Sequence, residues 1–260
     1  MQGRICLLLL IFVLCATTVQ AQDSSYLSSY LISYPQTVWQ AATAPLEWDA
    51  QAWLTAGGVV AIGGILYLTD EQSNSFFQQH RTELTAEFSR IFKLGGEGKY
   101  ILPGLGLTVA SGLLFDSPKT ADTGLLCLKS FILANGVSQV LKYSTQRQRP
   151  RHGKGKEFWN GSGFTRHRQS FPSGHSTVAW SLAPILAEQY REAKWVAPVV
   201  YTFAAGTSLS RVHDNEHWLS DAFAGAVIGY ITAKLTLVST PRLEVYPNAQ
   251  LDGVTLLYRY

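Results

Sequence analysis

The sequence is poor in charge and in cysteine, and it contains no long run of basic residues. Charged residues make up 15% of its 260 residues, and the formal net charge is +3. So low a charge content is unusual for a soluble protein, and the lack of a basic run or a nucleic-acid module argues against a nucleic-acid partner. The mean hydropathy of +0.06 is nevertheless far below that of a bundle of long membrane spans. The composition therefore predicts a tightly packed helical protein, or one that lies against a membrane.

The first residues predict export. Met1 to Arg4 carry a positive charge, a short apolar run follows, and Val19-Gln-Ala21 supplies the small residues of a signal-peptidase site. We therefore expect a signal peptide at residues 1–21 and a periplasmic mature protein, with membrane association left open. Of the three cysteines only Cys127 would remain, so no internal disulfide is expected. Its apolar neighbours predict an inert core thiol.

Six apolar stretches have the pattern of helices. They cover residues 53–68, 100–115, 122–143, 172–192, 195–209 and 215–238. Each uninterrupted apolar run holds about 15 to 18 residues, fewer than the roughly 20 that cross a bilayer. The sequence thus favours an all-α fold, a compact bundle of about six apolar helices.

The flanks of this bundle carry weaker signals. Residues 70–93 predict one amphipathic helix that lies on a bilayer or covers a pocket. Paired glycines at 57–58 and 63–64 suggest close contact between helices. Residues 239–260 form a tail whose alternating pattern predicts a small β-hairpin. We expect an N-terminal helical segment at 22–94 and a core at 95–238.

The first of three polar clusters is Lys142-Tyr-Ser-Thr-Gln-Arg-Gln-Arg149-Pro150. Lys142 and Arg149 are seven residues apart, so they share a face if the helix continues between them. Two such cations suit a phosphate, with Lys as a point charge and Arg as a planar fork. The pair can equally be a basic helix end that the helix dipole favours.

The second cluster is Ser170-Phe-Pro-Ser-Gly-His175. Pro172 predicts a helix start, where free backbone N–H groups at Ser173 and Gly174 can cradle an anion. His175 would then face the bound anion. The plainer alternative is an ordinary capped helix start with an incidental histidine.

The third cluster is Ser210-Arg211-Val-His-Asp-Asn-Glu-His217-Trp-Leu-Ser-Asp221. His217 and Asp221 are four residues apart, so the carboxylate can bind one ring nitrogen and leave the other facing the site. The alternative is a stabilising pair on a surface helix. His213 and Asp214 are interpreted as loop residues, and Asp214 also as the cap of the last helix.

Taken together, the patterns Lys-x6-Arg-Pro, Pro-Ser-Gly-His and Ser-Arg-x5-His-x3-Asp resemble the type 2 phosphatidic acid phosphatase superfamily. That superfamily includes bacterial acid phosphatases, lipid phosphate phosphatases and vanadium haloperoxidases. The resemblance implies that His217 attacks phosphorus, that Asp221 orients it, and that His175 protonates the leaving oxygen. It also implies a set of residues that bind the phosphate oxygens: Lys142, Arg149, Ser173, Gly174 and Arg211.

The implied function is a phosphatase that needs no metal or other cofactor and works through a phosphohistidine, with a lipid phosphate or diphosphate as the favoured substrate. Three alternatives remain: a periplasmic acid phosphatase for soluble monoesters, a vanadium haloperoxidase and a non-catalytic lipid-binding protein. The further basic residues from Arg147 to Arg168 either steer anionic substrates to the site or form a solvated loop.

Overall fold

The computed structural model describes residues 24–165, 169–240, 242–247 and 254–259. In these residues the chain forms nine α-helices and one antiparallel hairpin. The helices are α1 (Ser24–Thr43), α2 (Ala50–Leu68), α3 (Asp70–Gln79), α4 (Glu83–Phe92), α5 (Gly98–Leu114), α6 (Pro118–Thr145), α7 (Gly174–Gln189), α8 (Val196–His213) and α9 (Leu219–Ser239). The all-α prediction is confirmed for this part of the chain, and the predicted export signal lies outside it.

A hairpin follows the last helix, where the alternating residues predict one. It pairs β1 (Arg242–Pro247) with β2 (Val254–Arg259). Arg242 lies opposite Arg259 and Pro247 opposite Val254, so the two strands run antiparallel in full register.

Two predicted helices have different bounds in the structure. Residues 70–93 form two helices, because Thr82 starts α4 as its N-cap and accepts the backbone N–H of Thr85 at 3.2 Å. Helix α6 ends at Thr145, since Gln146 has a left-handed backbone with φ of 45°. The condition for a shared face of Lys142 and Arg149 is therefore not met, since the helix does not continue between them.

The last helix begins later than predicted. Its N-cap is Trp218, whose backbone N–H donates to Oδ2 of Asp221 at 3.0 Å. Asp214 is not this cap, because it lies directly after the end of α8. His217 consequently stands just before the first turn of α9 and not within it.

Helices α7 and α9 approach each other closely at two glycines of α9. A Cβ atom on Gly229 would overlap the backbone oxygen of Thr177, and one on Gly225 would overlap that of Ser173. At the same end of the pair, the backbone N–H of Ser173 donates to the carbonyl of Asp221 at 2.9 Å. The two glycines thus bring together the N-terminal ends of α7 and α9.

The apolar core lies between α6, α7 and α9. Leu126, Val178, Ile185 and Ala233 are buried there, and Cys127 is buried with them, as predicted. Helix α8 packs on the other side of α7. This arrangement gives α7 neighbours on both sides and fixes the direction in which its N-terminus points.

Helix α2 has the opposite character, since none of its residues is buried. Three helices, α2, α6 and α9, are long and apolar enough to cross a membrane. The expectation that the apolar runs are too short to span is wrong for these three, because each helix extends beyond the uninterrupted apolar run in its sequence.

The glycines of α2 do not mark a helix contact within the described part of the chain. A Cβ atom added to Gly57, Gly58 or Gly64 would meet no atom within 4 Å, and one on Gly63 would make only an ordinary contact with Phe223 at 3.7 Å. The close helix approach that the glycine pairs predict is found in α9 instead.

Candidate active site

His217 lies buried between α8 and α9 with its ring held in one orientation. Its Nδ1 is 2.6 Å from the backbone carbonyl oxygen of Ser170. Because a carbonyl only accepts, we assign the ring proton to Nδ1, which leaves the lone pair of Nε2 for chemistry. Burial, and then the charge of Arg149, hold the pKa of His217 well below its usual value. The ring is therefore neutral at pH 7.

Asp221 reaches His217 through Ser170 and not by a direct hydrogen bond. The distance from Oδ2 of Asp221 to Nδ1 of His217 is 4.0 Å, whereas the hydroxyl of Ser170 donates to the same Oδ2 at 2.5 Å. Ser170 thus binds the carboxylate with its side chain and the imidazole with its carbonyl. The sequence pattern includes Ser170 but gives it no role.

Two further charged residues support Asp221. Arg147 is fully buried and donates from Nη1 to Oδ1 of Asp221 at 2.5 Å. Its Nη2 donates to Oδ2 of Asp70 at 2.8 Å, and Asp70 is also fully buried. The interpretation of Arg147 as part of a solvated or substrate-steering loop is wrong, because its guanidinium is enclosed by two carboxylates. No sequence pattern marks Asp70.

Three cations surround the two histidines. Lys142, in the last turn of α6, donates from Nζ to the backbone oxygens of Gln169 at 3.0 Å and of Pro172 at 2.5 Å. Arg149 binds the carboxylate of Glu216, and Arg211, in the last turn of α8, binds that of Asp214 at 2.9 Å. The cations come from three separate parts of the chain, and the fold brings them to one place.

Three buried polar groups at this place have no hydrogen-bond partner among the described residues. They are Nε of Arg149, Nε of Arg211 and Oγ of Ser173. A buried donor without a partner is costly, typically about 1 to 3 kcal/mol. Such groups are rare in folded proteins and commonly belong to a binding site. Two positively charged donors and one hydroxyl suit an oxyanion.

His175 lies at the start of α7 and makes no hydrogen bond to any described residue. Burial, and then the charge of Arg211, lower the pKa of His175 to about 4, while Glu97 opposes this shift. Gly96 packs directly against its backbone, since a Cβ atom there would come within 2.6 Å of the Cα of His175. The segment before α5 therefore covers one side of His175.

His213 belongs to α8 and is not a loop residue, whereas Asp214 lies in the turn that follows, and both residues anchor neighbouring elements. His213 is the last residue of α8, and its Nε2 is 3.0 Å from Oγ1 of Thr85. Asp214 accepts the hydroxyl of Ser89 at 2.7 Å with one carboxylate oxygen and binds Arg211 with the other. The pair joins α4 to α8 and fixes the guanidinium of Arg211.

Two further basic residues of the loop after Arg149 make different kinds of contact. Arg151 pairs with Glu216, and Nζ of Lys156 donates to the backbone oxygen of Leu68 at 2.7 Å. Residues 166–168 lie outside the described part. Across the residues that the structure covers, no three His, Cys, Asp or Glu side chains are grouped as metal ligands.

A comparison with protein families supports the resemblance that the motifs suggest. Residues 123–244 match the model of the PAP2 superfamily. Over 104 residues the chain is 32% identical to the lipid A 1-phosphatase of Porphyromonas gingivalis, an alignment that covers 40% of this chain and 20% of that protein. The chain thus spans a fifth of the length of this curated relative.

Two solved structures have a similar fold. A transmembrane PAP2 type phosphatidylglycerolphosphate phosphatase from Bacillus subtilis superposes with a TM-score of 0.55 at 24% identity, covering 70% of this chain and 93% of its own. Aquifex aeolicus LpxE superposes with a TM-score of 0.51 at 23% identity, covering 65% and 94%. Independently of these neighbours, the three long apolar helices among the described residues support association of the chain with a membrane. Residues 123–244, which match the PAP2 superfamily, hold all three of the sequence motifs.

Proposed function

We propose that the chain is a phosphatase that hydrolyses phosphate esters through a phosphohistidine on His217, without a metal ion. One observation carries the proposal: the unpartnered donors of Arg149, Arg211 and Ser173 lie with a neutral His217 in one buried site. A phosphoryl group has three equatorial oxygens in the transition state, and the fixed donors of such a site can form hydrogen bonds to them.

In the first step, Nε2 of His217 forms a bond to phosphorus while the bond from phosphorus to the ester oxygen breaks. His175 gives its ring proton to that oxygen, and an alcohol leaves. The charges of Lys142, Arg149 and Arg211 offset the charge on the phosphoryl oxygens. The carbonyl of Ser170 keeps the proton of His217 on Nδ1 and the Nε2 lone pair directed at phosphorus, and Asp221 holds Ser170 in place through its hydroxyl.

In the second step, a water molecule attacks the phosphohistidine. His175, now neutral, takes a proton from the water as its oxygen bonds to phosphorus. The bond between phosphorus and Nε2 breaks, its electron pair returns to the ring, and inorganic phosphate leaves. The same histidine thus acts as acid and then as base, which restores the starting state.

We further propose that the substrate is a lipid phosphate or diphosphate. The apolar helix α2 is exposed along its length and ends next to the site, because Lys156 of the basic loop binds the backbone of Leu68. A membrane around α2 would therefore present lipid headgroups at the level of this loop. Two similar proteins, a lipid A 1-phosphatase and a phosphatidylglycerolphosphate phosphatase, act on substrates of this class.

The organisation of the chain is part of the proposal. Residues 95–238 form the core that contains every proposed catalytic and phosphate-binding residue, with a helical segment at 22–94 before it and a tail at 239–260 after it. We propose that residues 1–21 are removed on export and that the site works in the periplasm. Sequencing the N-terminus of the purified protein tests this, and a mature start at Gln22 is expected.

The central experiment measures phosphate release by the purified protein in EDTA. Phosphatidic acid and an isoprenoid diphosphate in detergent are compared with a soluble aryl phosphate. We expect hydrolysis in EDTA, inhibition by vanadate, and preference for the lipids. Preference for the aryl phosphate would instead indicate an acid phosphatase for soluble esters, and halide oxidation in vanadate without phosphate release would indicate a haloperoxidase.

The variant His217→Ala should lose nearly all activity while the protein stays folded, and acid-labile phosphate should no longer be trapped on the chain. His80→Ala is the matched control, because His80 is exposed at the end of α3 and its ring nitrogen contacts the backbone oxygen of Phe76 and no proposed site residue. Full activity of His217→Ala would contradict the proposed nucleophile. Activity lost in EDTA and restored by added metal would contradict the proposed mechanism.

A further inference from the structure

Asp70 is a buried carboxylate that lies outside residues 123–244, the part that matches the family model, and yet contacts the helix next to His217. Its Oδ1 accepts the backbone N–H of Ser220 at 2.9 Å, and its Oδ2 accepts the hydroxyl of the same serine at 2.5 Å. Ser220 is the second residue of α9 and is 150 positions further along the chain. Asp70 therefore supplies a cap to the N-terminus of α9 from the N-terminal segment.

Asp70 and Asp221 hold the same arginine between them. The guanidinium of Arg147 donates from Nη2 to Asp70 and from Nη1 to Asp221, and Nη1 also donates to the hydroxyl of Ser220. All three charged side chains are completely buried. The first turn of α9 is thus fixed by two carboxylates and one guanidinium that have no access to water.

The charge of Asp70 holds Arg147 in place between two carboxylates. A helix N-terminus favours negative charge, and both carboxylates lie there. If Asp70 lost its charge, Arg147 would keep one full ionic partner, and its guanidinium would turn toward Asp221. Because Asp221 also binds Ser170, a shift of this carboxylate moves the carbonyl that orients His217.

We propose that Asp70 is a positioning residue for the reaction at His217, acting through Arg147 and Ser220 on Asp221. This inference rests on the proposed phosphatase function and extends the machinery beyond residues 123–244. The helical segment at 22–94 is then more than a membrane-facing part, since it supplies one of the charges that aligns the nucleophile.

The test is Asp70→Asn, which keeps the shape of the side chain and removes its charge. We expect kcat to fall about 10- to 100-fold, by analogy with groups that orient metal-binding histidines from one shell further out. KM should be unchanged, because no group that contacts substrate is altered. The rate is expressed per active site, counted from the amount of vanadate that the purified protein binds at saturation.

The matched control is Asp122→Asn. Asp122 is also a buried carboxylate and accepts a hydrogen bond from Nε2 of Gln189 at 2.9 Å. It lies in the first turns of α6, at the opposite end of that helix from Lys142 and about 30 Å away along its axis. Its kcat per active site should equal that of the wild-type protein.

A purely structural role for Asp70 would reduce the number of active sites and leave kcat per site unchanged, which would overturn the inference while the proposed function stands.

If Asp70→Asn does not fold, Ser220→Ala decides, because it removes one bond to Asp70 and one to Arg147 and leaves the backbone cap in place. A smaller fall in kcat with unchanged KM supports the inference, and an unchanged kcat overturns it. A wild-type protein that releases no phosphate would overturn both proposals.

Discussion

Helices α2 and α9 resemble each other in sequence and differ in their surroundings. They contain 19 and 21 residues, are equally hydropathic, and include four and two glycines. None of α2 is buried, whereas α9 packs on α7 at its two glycines and starts with the buried Ser220 and Asp221. The buried polar residues at its start therefore distinguish the helix that enters the interior, whereas glycine content and overall hydropathy do not.

This comparison explains how a charged site fits an apolar protein. The polar residues of α9 are collected at its first turn, where backbone N–H groups and Arg147 satisfy them. Much of the apolar surface of α2 is exposed, including Leu54, Val60 and Leu68. Such a surface needs an apolar solvent, which a bilayer supplies. The charged groups of the site are thus buried, while the helix next to them carries exposed apolar side chains.

The largest expected difference is between two helix-capping carboxylates. Asp49 accepts the N–H of Ala52 at 2.8 Å at the start of α2, as Asp221 accepts that of Trp218 in α9. Asp49→Asn should change stability by a few tenths of a kcal/mol, because Asn caps about as well as Asp. Asp221→Asn leaves Arg147 undercompensated and should cost about 3 to 5 kcal/mol, as for other broken buried pairs. Denaturant unfolding in detergent measures both, and equal effects would remove the contrast between the two helices.

A smaller effect on the free energy of unfolding is expected when one glycine in each helix is replaced by alanine, and its sign should differ between α9 and α2. Gly229→Ala forces α9 away from α7 and should destabilise the protein by about 1 to 3 kcal/mol, the usual cost of overpacking. Gly58→Ala has open space around it and should stabilise α2 by up to about 1 kcal/mol through helix propensity. Thermal unfolding of both variants tests this, and it fails if Gly229→Ala is as stable as the wild-type protein.

The smallest expected effect is on the pH dependence of kcat and kcat/KM, which reflects the buried charges around His175. The reaction needs protonated His175, whose pKa is lowered to about 4 in the free protein, so kcat/KM should fall as the pH rises above that value. A bound phosphoryl group is negative and favours the protonated ring. The falling limb of kcat should therefore lie about one pH unit or more above that of kcat/KM. Rate profiles with a substrate whose own ionisation is measured separately test this, and coincident limbs would contradict it.

The three motifs were predictable because each contains residues whose chemistry makes sense only near an anion. The structure indeed gathers Lys142, Arg149 and Arg211 around His175 and His217, although the helix that would give Lys142 and Arg149 a shared face ends between them. The turn at Gln146 redirects the chain, and no residue pattern announces a left-handed backbone at a glutamine. Proximity was therefore predictable from chemistry, while the local geometry was not.

Asp70 and Ser170 show what sequence patterns leave out. Asp70 stands at the start of an amphipathic segment, where an acidic residue is an ordinary helix-start signal, and its partner Ser220 lies 150 residues away. Ser170 acts with its hydroxyl and its backbone carbonyl at once. The all-α fold followed from periodicity, but contacts of this kind depend on how the helices pack.

The separation between Asp70 and Ser220 also bears on how the protein is made. At synthesis rates of about 5 to 20 residues per second, Asp70 leaves the ribosome roughly 8 to 30 s before its partner. During that interval its carboxylate needs water or another temporary partner, since a lone charge is not tolerated in an apolar interior. The catalytic end of α9 can close only after nearly the whole chain has been translated, so newly made chains stay inactive until the last helix is in place.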